Sequence, residues 1–335
     1  MTKPATPSFA LGRLGSRLRG GAIQRLLAFG ALLLLVVFFS FWSPYFLNFD
    51  NFNNIFIAVA VAGLLGLGET FVITTGGIDL SVGTVMTLSA VMTAYPVVKW
   101  GLPVSVGVLI GIGTGALMGF INGVLIARLK LPPFIATLGM LNVARGLALV
   151  IAGLAPVYLP TDDLHGIVMG SAIGVILPAF PIPNIALILL GAAIVAGFIL
   201  SKTVLGRYTF ALGSNEEAAR LSGVNVMRWK IAVYTLCGTF AGLAGVAITA
   251  RLNSAQPSLG FGYELDAISA VVIGGTSLSG GEGTILGTII GAFIVKTLAD
   301  GLQLVSVPQE WQVVATGAVV ILAVYLDIVR RRGRT

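Results

Sequence analysis

Residues 104–127 read VSVGVLIGIGTGALMGFINGVLIA, without a single charged side chain. A helix rises about 1.5 Å per residue, so roughly 20 apolar residues cross a hydrocarbon core about 30 Å thick. Gly107, Gly111, Gly115, Gly119 and Gly123 recur at every fourth position. On a helix they form one smooth stripe, against which a neighbouring backbone can pack closely or slide. Gly238 with Gly242, and Gly283 with Gly287 and Gly291, repeat the spacing.

Nine further apolar runs lie near 25–45, 54–75, 80–98, 134–154, 184–201, 231–250, 265–281, 283–302 and 310–328. The predicted fold is all-α, a polytopic transmembrane helix bundle of about ten spans with both termini cytoplasmic. The break between the runs at 265–281 and 283–302 is short and glycine-rich. Composition agrees, with 56% hydrophobic and 10% charged residues, where a soluble domain carries about 25% charged. The run near 25–45 ends in Phe41-Trp42-Ser43-Pro44, without a small-residue cleavage site, and is read as a retained span.

The net charge of +7 is not spread evenly. Arg13, Arg17, Arg19 and Arg25 precede the first run, and Arg330, Arg331, Arg332 and Arg334 follow the last. With these, Lys3, Arg128, Lys130, Lys202, Arg207, Arg220, Arg228 and Lys230 place 16 of the 20 basic residues on one side. Basic loops stay in the cytoplasm, so the charge anchors the chain at a membrane and does not indicate nucleic acid. The expected organisation is a basic cytoplasmic segment at 1–24, a membrane domain at 25–328 with a cytoplasmic loop at about 202–230, and a basic tail at 329–335.

Cys237 is the sole cysteine and reads as a small buried hydrophobe. The outer loop at 155–183 holds His165 beside Asp162 and Asp163. No second His completes a metal site, so the loop reads as a solvated turn and no metal is expected.

Ionisable residues inside spans are functional by default. Glu69, Arg145, Lys296 and Asp300 are the candidates. Lys296 and Asp300 are spaced to pair along one helix. A structural pairing explains such residues as well as a pathway role does. Gly76-Gly77-Ile78-Asp79-Leu80-Ser81-Val82-Gly83 is echoed by Gly274-Gly275-Thr276-Ser277-Leu278-Ser279-Gly280-Gly281. Glycine-interrupted segments in two halves of a chain point to an internal repeat and a transport pathway. Pathway candidates are therefore Glu69, Gly76, Gly77, Asp79, Ser81, Asn142, Arg145, Gly274, Gly275 and Thr276. Asp79 sits at a helix start, where capping is the plainer role. Leu278-Ser279-Gly280-Gly281-Glu282 mimics an ATPase signature loop. With no G-x-x-x-x-G-K-[ST] loop in the chain, it is not read as one.

The loop at 202–230 carries a short helix with marked ends. Ser214 and Glu217 have capping-box spacing, and Gly223 can stop the helix. Two turns are not stable alone in water. Gly213, Ser214, Asn215, Glu216, Glu217, Ala218, Ala219, Arg220, Leu221, Ser222 and Gly223 therefore need a surface, on this chain or on a partner.

The stretch Ala211–Val224 resembles the ATPase-docking loop of ribose-type sugar permeases of bacterial ABC importers. The segment 76–83 is similar to the hallmark of that family. So are Ala255-Gln256-Pro257, the stretch from Gly262 to Ile268, Gly274–Leu278 and Leu131–Gly139, although the family often has a single Pro where Pro132 and Pro133 stand. The resemblance spans roughly 50–328. It implies an inner-membrane permease domain with no catalytic residues and no cofactor of its own. It also implies a second permease copy, a cytoplasmic ABC ATPase whose two sites bind the ATP, and a periplasmic sugar-binding protein. Asn142, Asn253, Gln256, Phe261 and Tyr263 suit a neutral polyol. Rival readings are a permease for a nucleoside, an amino acid or a sugar-derived signal, and an ion-coupled secondary carrier acting alone.

Overall fold

The computed structural model describes residues 9–332, and the side-chain surroundings of residues 26–322 and of Tyr325. Lys3 and Arg334 lie outside the described residues, as do the side chains of Arg13, Arg17, Arg19, Arg25 and Arg330–Arg332.

The elements in order are α1 (Phe9–Trp42), α2 (Phe49–Thr74), α3 (Val82–Trp100), α4 (Val104–Ala127), α5 (Pro133–Ala152), β1 (Val157–Tyr158), α6 (Asp163–Met169), α7 (Ala172–Ile176), α8 (Asn184–Lys202), α9 (Val204–Ser214), α10 (Glu216–Leu221), α11 (Val226–Leu252), β2 (Ser254–Ala255), α12 (Tyr263–Ile273), α13 (Ile285–Leu304) and α14 (Gln309–Arg332). Among the described residues, seven helices are long and apolar enough to cross a membrane: α2, α3, α4, α5, α8, α11 and α13. The apolar part of α1, Leu26–Trp42, is shorter.

The run at 265–281 does not form the full span expected of it. Its helix, α12, has 11 residues, which reach about 16 Å. The remainder, 274–284, is irregular and rich in glycine, which carries a backbone-entropy cost in a helix. The chain before α12 is unusual too. Thr87, in the second turn of α3, donates its hydroxyl to the Leu259 carbonyl at 2.6 Å. The loop 256–262 therefore lies against the first turns of α3, and α12 starts from there.

The bundle is built around α2. Every residue from Val59 to Thr74 is buried, because α3, α8, α11, α12 and α13 all pack on it. A helix apolar all round suits that position. In α4 only Gly107, Gly111, Gly115, Met118, Gly119, Asn122, Gly123 and Ile126 are buried, which is one stripe. Leu109, Leu117 and Phe120 face outward, as lipid allows.

The stripe meets its counterpart on α11. A Cβ on Gly115 would lie 2.7 Å from the Cα of Gly242, and one on Gly119 would lie 2.9 Å from the Cα of Gly238. Two backbones touch there without side chains between them. Gly287 and Gly291 of α13 likewise face the C-terminal half of α12, whereas Gly283 precedes the helix. Packed against α3 and α11, β1 pairs antiparallel with β2, Val157 opposite Ala255 and Tyr158 opposite Ser254. The loop 155–183 is thus more ordered than a solvated turn: it contains α6 and α7, and His165 Nδ1 bonds the Ala250 carbonyl at 2.9 Å.

Gly113 separates packing from propensity, since a Cβ there meets nothing within 4 Å. Gly115→Ala is expected to destabilise the bundle by about 1–3 kcal/mol through overpacking. Gly113→Ala should be neutral or stabilising by up to about 1 kcal/mol. Thermal unfolding of the two variants in detergent measures the difference.

Candidate functional site

The loop at 202–230 forms as two helices, α9 and α10, joined at a sharp corner. Its cap differs from the expected one. Ser214 is the last residue of α9, and the Asn215 side chain accepts from the Ala218 amide at 2.9 Å. Asn215 is extended, with φ −165 and ψ 101, so its amide oxygen points back at the open end of α10. Glu217 takes no part in a capping box; it pairs with Arg220 at 3.2 Å. Glu216 ties α10 to the start of α11 through Lys230, at 2.6 Å. Gly223 ends the helix as expected, with φ +83 and the Val224 amide bonded back to Ala219 at 3.1 Å.

Of α10 only Ala219 is buried. Glu217, Ala218, Arg220 and Ser222 are exposed, and Leu221 is 80% exposed. The corner before α10 is the part held firmly. The Gly281 amide donates to the Thr74 carbonyl at 2.9 Å. Gly213 is pressed onto both groups, with no room for a Cβ, and Gly280 approaches the Cα of Gly213 within 2.9 Å of where its own Cβ would be. The end of α2, the end of α9 and the link 274–284 therefore meet in one backbone junction.

That junction joins the two echoed segments, and the echo is structural. After α2, Gly76 has φ +81 and the Gly77 amide bonds Val72 at 3.1 Å. After α12, Gly275 has φ +95 and the Thr276 amide bonds Val271 at 3.1 Å. Both are left-handed helix stops, one position out of register with the sequence match. Asp79 then accepts from the Ser81 amide at 2.8 Å, and Ser277 from the Ser279 amide at 3.1 Å. The two segments share one turn, but only the first leads straight into a helix.

Behind the first segment lies a buried polar cluster. Glu69, Asp79, Ser81, Asn122, Tyr234 and Cys237 are each at most 2% exposed. Asp79 Oδ1 also accepts the Ser81 hydroxyl at 2.6 Å, and Oδ2 accepts from Asn122 at 3.3 Å. Glu69 accepts the Asp79 amide at 3.0 Å, and the Cys237 thiol lies 3.8 Å from its other oxygen. No described basic side chain forms an ion pair with either carboxylate. The packing places both inside the bundle, where they order the turn between α2 and α3.

Arg145 and Asn142 are elsewhere. Both are on the exposed face of α5. Arg145 stacks over the Phe261 ring at 5.4 Å, and Phe261 and Leu265 are themselves exposed. Lys296 does not pair with Asp300. It crosses to Asp266 on α12 and lies 5.4 Å from the Tyr263 ring. The partner across the helix interface was invisible to helical spacing.

Asp79→Ala is expected to leave the Ser81 amide and hydroxyl without their acceptor, while Asn122 keeps its bond to Ser81 Oγ at 2.9 Å, and to cost about 2–3 kcal/mol, read as less folded protein in the membrane. Asp79→Asn should retain near-normal amounts. Its oxygen still serves Ser81, and a flip of the Asn122 amide, whose nitrogen now faces Asp79, presents to the new amide an oxygen that has no partner among the described residues. Quantitative blotting of membrane fractions distinguishes the two.

A family model described as branched-chain amino acid transport system / permease component matches residues 51–324. The chain is 45% identical to the ribose import permease protein of Bacillus subtilis, covering 92% of this chain and 94% of that one. It is 43% identical to the ribose import permease protein of Escherichia coli K12, covering 89% and 91%. The D-allose transport system permease protein of the same strain is 38% identical, covering 89% and 90%. No solved structure matches. Helices fit to span a membrane, a capped loop helix that follows a corner seated on the end of α2 and on Gly281, and similarity over nearly the whole chain agree: the chain belongs to this permease family, in the branch of the ribose-type ABC permeases.

Proposed function

We propose that this chain forms the transmembrane pathway of an ABC importer for a monosaccharide, ribose or a related sugar, in the bacterial inner membrane. Two copies pair in the membrane. A cytoplasmic ATPase with two nucleotide sites docks on α10, and a periplasmic binding protein delivers the sugar. The ATP is bound by that partner. The observation that carries this reading is the seat of Gly213 on Thr74 and Gly281. A displacement of α10 reaches the end of α2 and the link to α13 through backbone contact alone, with no flexible side chain to absorb it.

The solute route is read on the outward face of α5 and the 256–262 loop. An arginine within a span is costly in lipid and normally faces protein or a water-filled cavity. Arg145 is exposed in the single chain, so this face is covered by the second copy or lines the route. The donors of Asn142 and Arg145 with the ring of Phe261 suit a polyol, which offers hydroxyls and an apolar ring face. The buried Glu69 and Asp79 are assigned to holding the first glycine turn.

Ten passes are compatible with this arrangement if the eighth is broken into the 256–262 loop, α12 and the link 274–284. Both termini are then cytoplasmic, on the side of α9 and α10. Reporter fusions at Met1 and Thr335 should both give cytoplasmic signals; a periplasmic signal at either end overturns the count.

Leu221→Asp tests the docking surface. Its side chain touches little of its own chain, so folding should be unchanged. In vesicles holding the ATPase and the loaded binding protein, sugar-stimulated ATP hydrolysis should fall at least about tenfold, since a charge in a buried contact costs more than 1.4 kcal/mol. Undiminished stimulation would sink the docking assignment. Transport by the purified chain alone would favour an ion-coupled carrier.

A further inference from the structure

Where α4, α5 and α11 end on the loop side, the structure holds a groove of about 630 Å³. Arg128, Lys130, Arg220 and Lys230 line it with a single carboxylate, Glu216. Arg220 and Lys230 share that carboxylate, at 3.4 and 2.6 Å. Arg128 and Lys130 have no ion-pair partner among the described residues. The groove thus carries more positive charge than its own chain neutralises.

Its backbone is shaped for the purpose as well. Lys130 is left-handed, with φ +57, a conformation that non-glycine residues rarely hold unless their surroundings impose it. The Leu131 amide is bonded back to Leu125 at 3.2 Å, and Pro132 and Pro133 follow. The rest of the wall is apolar, with Ile126, Leu131 and Met227 among its residues. Ala127 is the last residue of α4, Pro133 the first of α5 and Val226 the first of α11. Three helix ends meet there, and helix ends with Lys and Arg belong at the border of a membrane, so the groove offers charged and apolar walls to that border.

We propose that this groove binds the phosphate headgroup of an anionic phospholipid, with Arg128 and Lys130 as the principal contacts. The site is separate from the solute route and does not depend on which sugar is carried. A lipid phosphate would neutralise the excess positive charge beside Glu216, the residue that fastens α10 to α11, so lipid composition would bear on the docking element. Basic recesses between helices on the cytoplasmic side are suited to such headgroups.

The test is a titration of the full-length purified chain, by native mass spectrometry, with phosphatidylglycerol and with phosphatidylcholine. Phosphatidylglycerol should bind at least about tenfold tighter, and Arg128→Gln with Lys130→Gln should weaken it roughly thirtyfold, the effect of two surface charges. Lys130→Gly relieves the backbone and removes one charge, so it should fold normally and lose about fivefold. Equal affinity for the two lipids would overturn the proposal. So would unchanged phosphatidylglycerol binding in the double variant. Displacement of the lipid by millimolar inorganic phosphate would show a free-anion site instead, and exclusion of lipid by the bound ATPase would assign the groove to that protein.

Discussion

The amide of Gly281 donates to the carbonyl of Thr74, and the rest of the working parts are arranged around that bond. In a membrane a backbone group without a partner costs several kcal/mol, so spans normally satisfy themselves as unbroken helices. This chain departs from the rule along 274–284, where the Gly281 amide takes its acceptor from the end of α2, and Gly213 closes over both groups. The position of α10, the start of α3 and the start of α13 all follow from where this junction sits.

Polar side chains within the membrane domain meet the same constraint in two ways. Asp79 is enclosed by donors from Ser81 and Asn122, and Glu69 by the Asp79 amide. Their bonds are satisfied locally, and both are buried within the bundle. Arg145 is left on an outer face with only a ring beneath it. A buried, satisfied group is architecture; a charged group in a span without enclosure needs water or a partner.

Glycine serves a different end in the bundle. Helices in lipid gain nothing from hiding apolar side chains from one another, so they associate through close contact. The α4 and α11 backbones touch through Gly115, Gly119, Gly238 and Gly242. A surface of this kind is firm against compression but has no interlocking side chains along it, which is compatible with one helix sliding along the other.

The sequence by itself determined which stretches prefer lipid, where the bundle would meet closely along α4, and that a helix in the 202–230 loop would stop at Gly223. These depend on run length, four-residue spacing and the left-handed freedom of glycine, all of which are local. Tertiary structure alone decided that Asn215 and not Ser214 caps α10, that Lys296 turns to Asp266 and not Asp300, and that 265–281 yields a half-helix. It also brought Gly213 onto Gly281 and buried Glu69 against Asp79. Each of these turns on a partner distant in sequence or on a choice between near-equal local options. Helical periodicity places a side chain on a face, but which group waits across that face is fixed only when the helices pack.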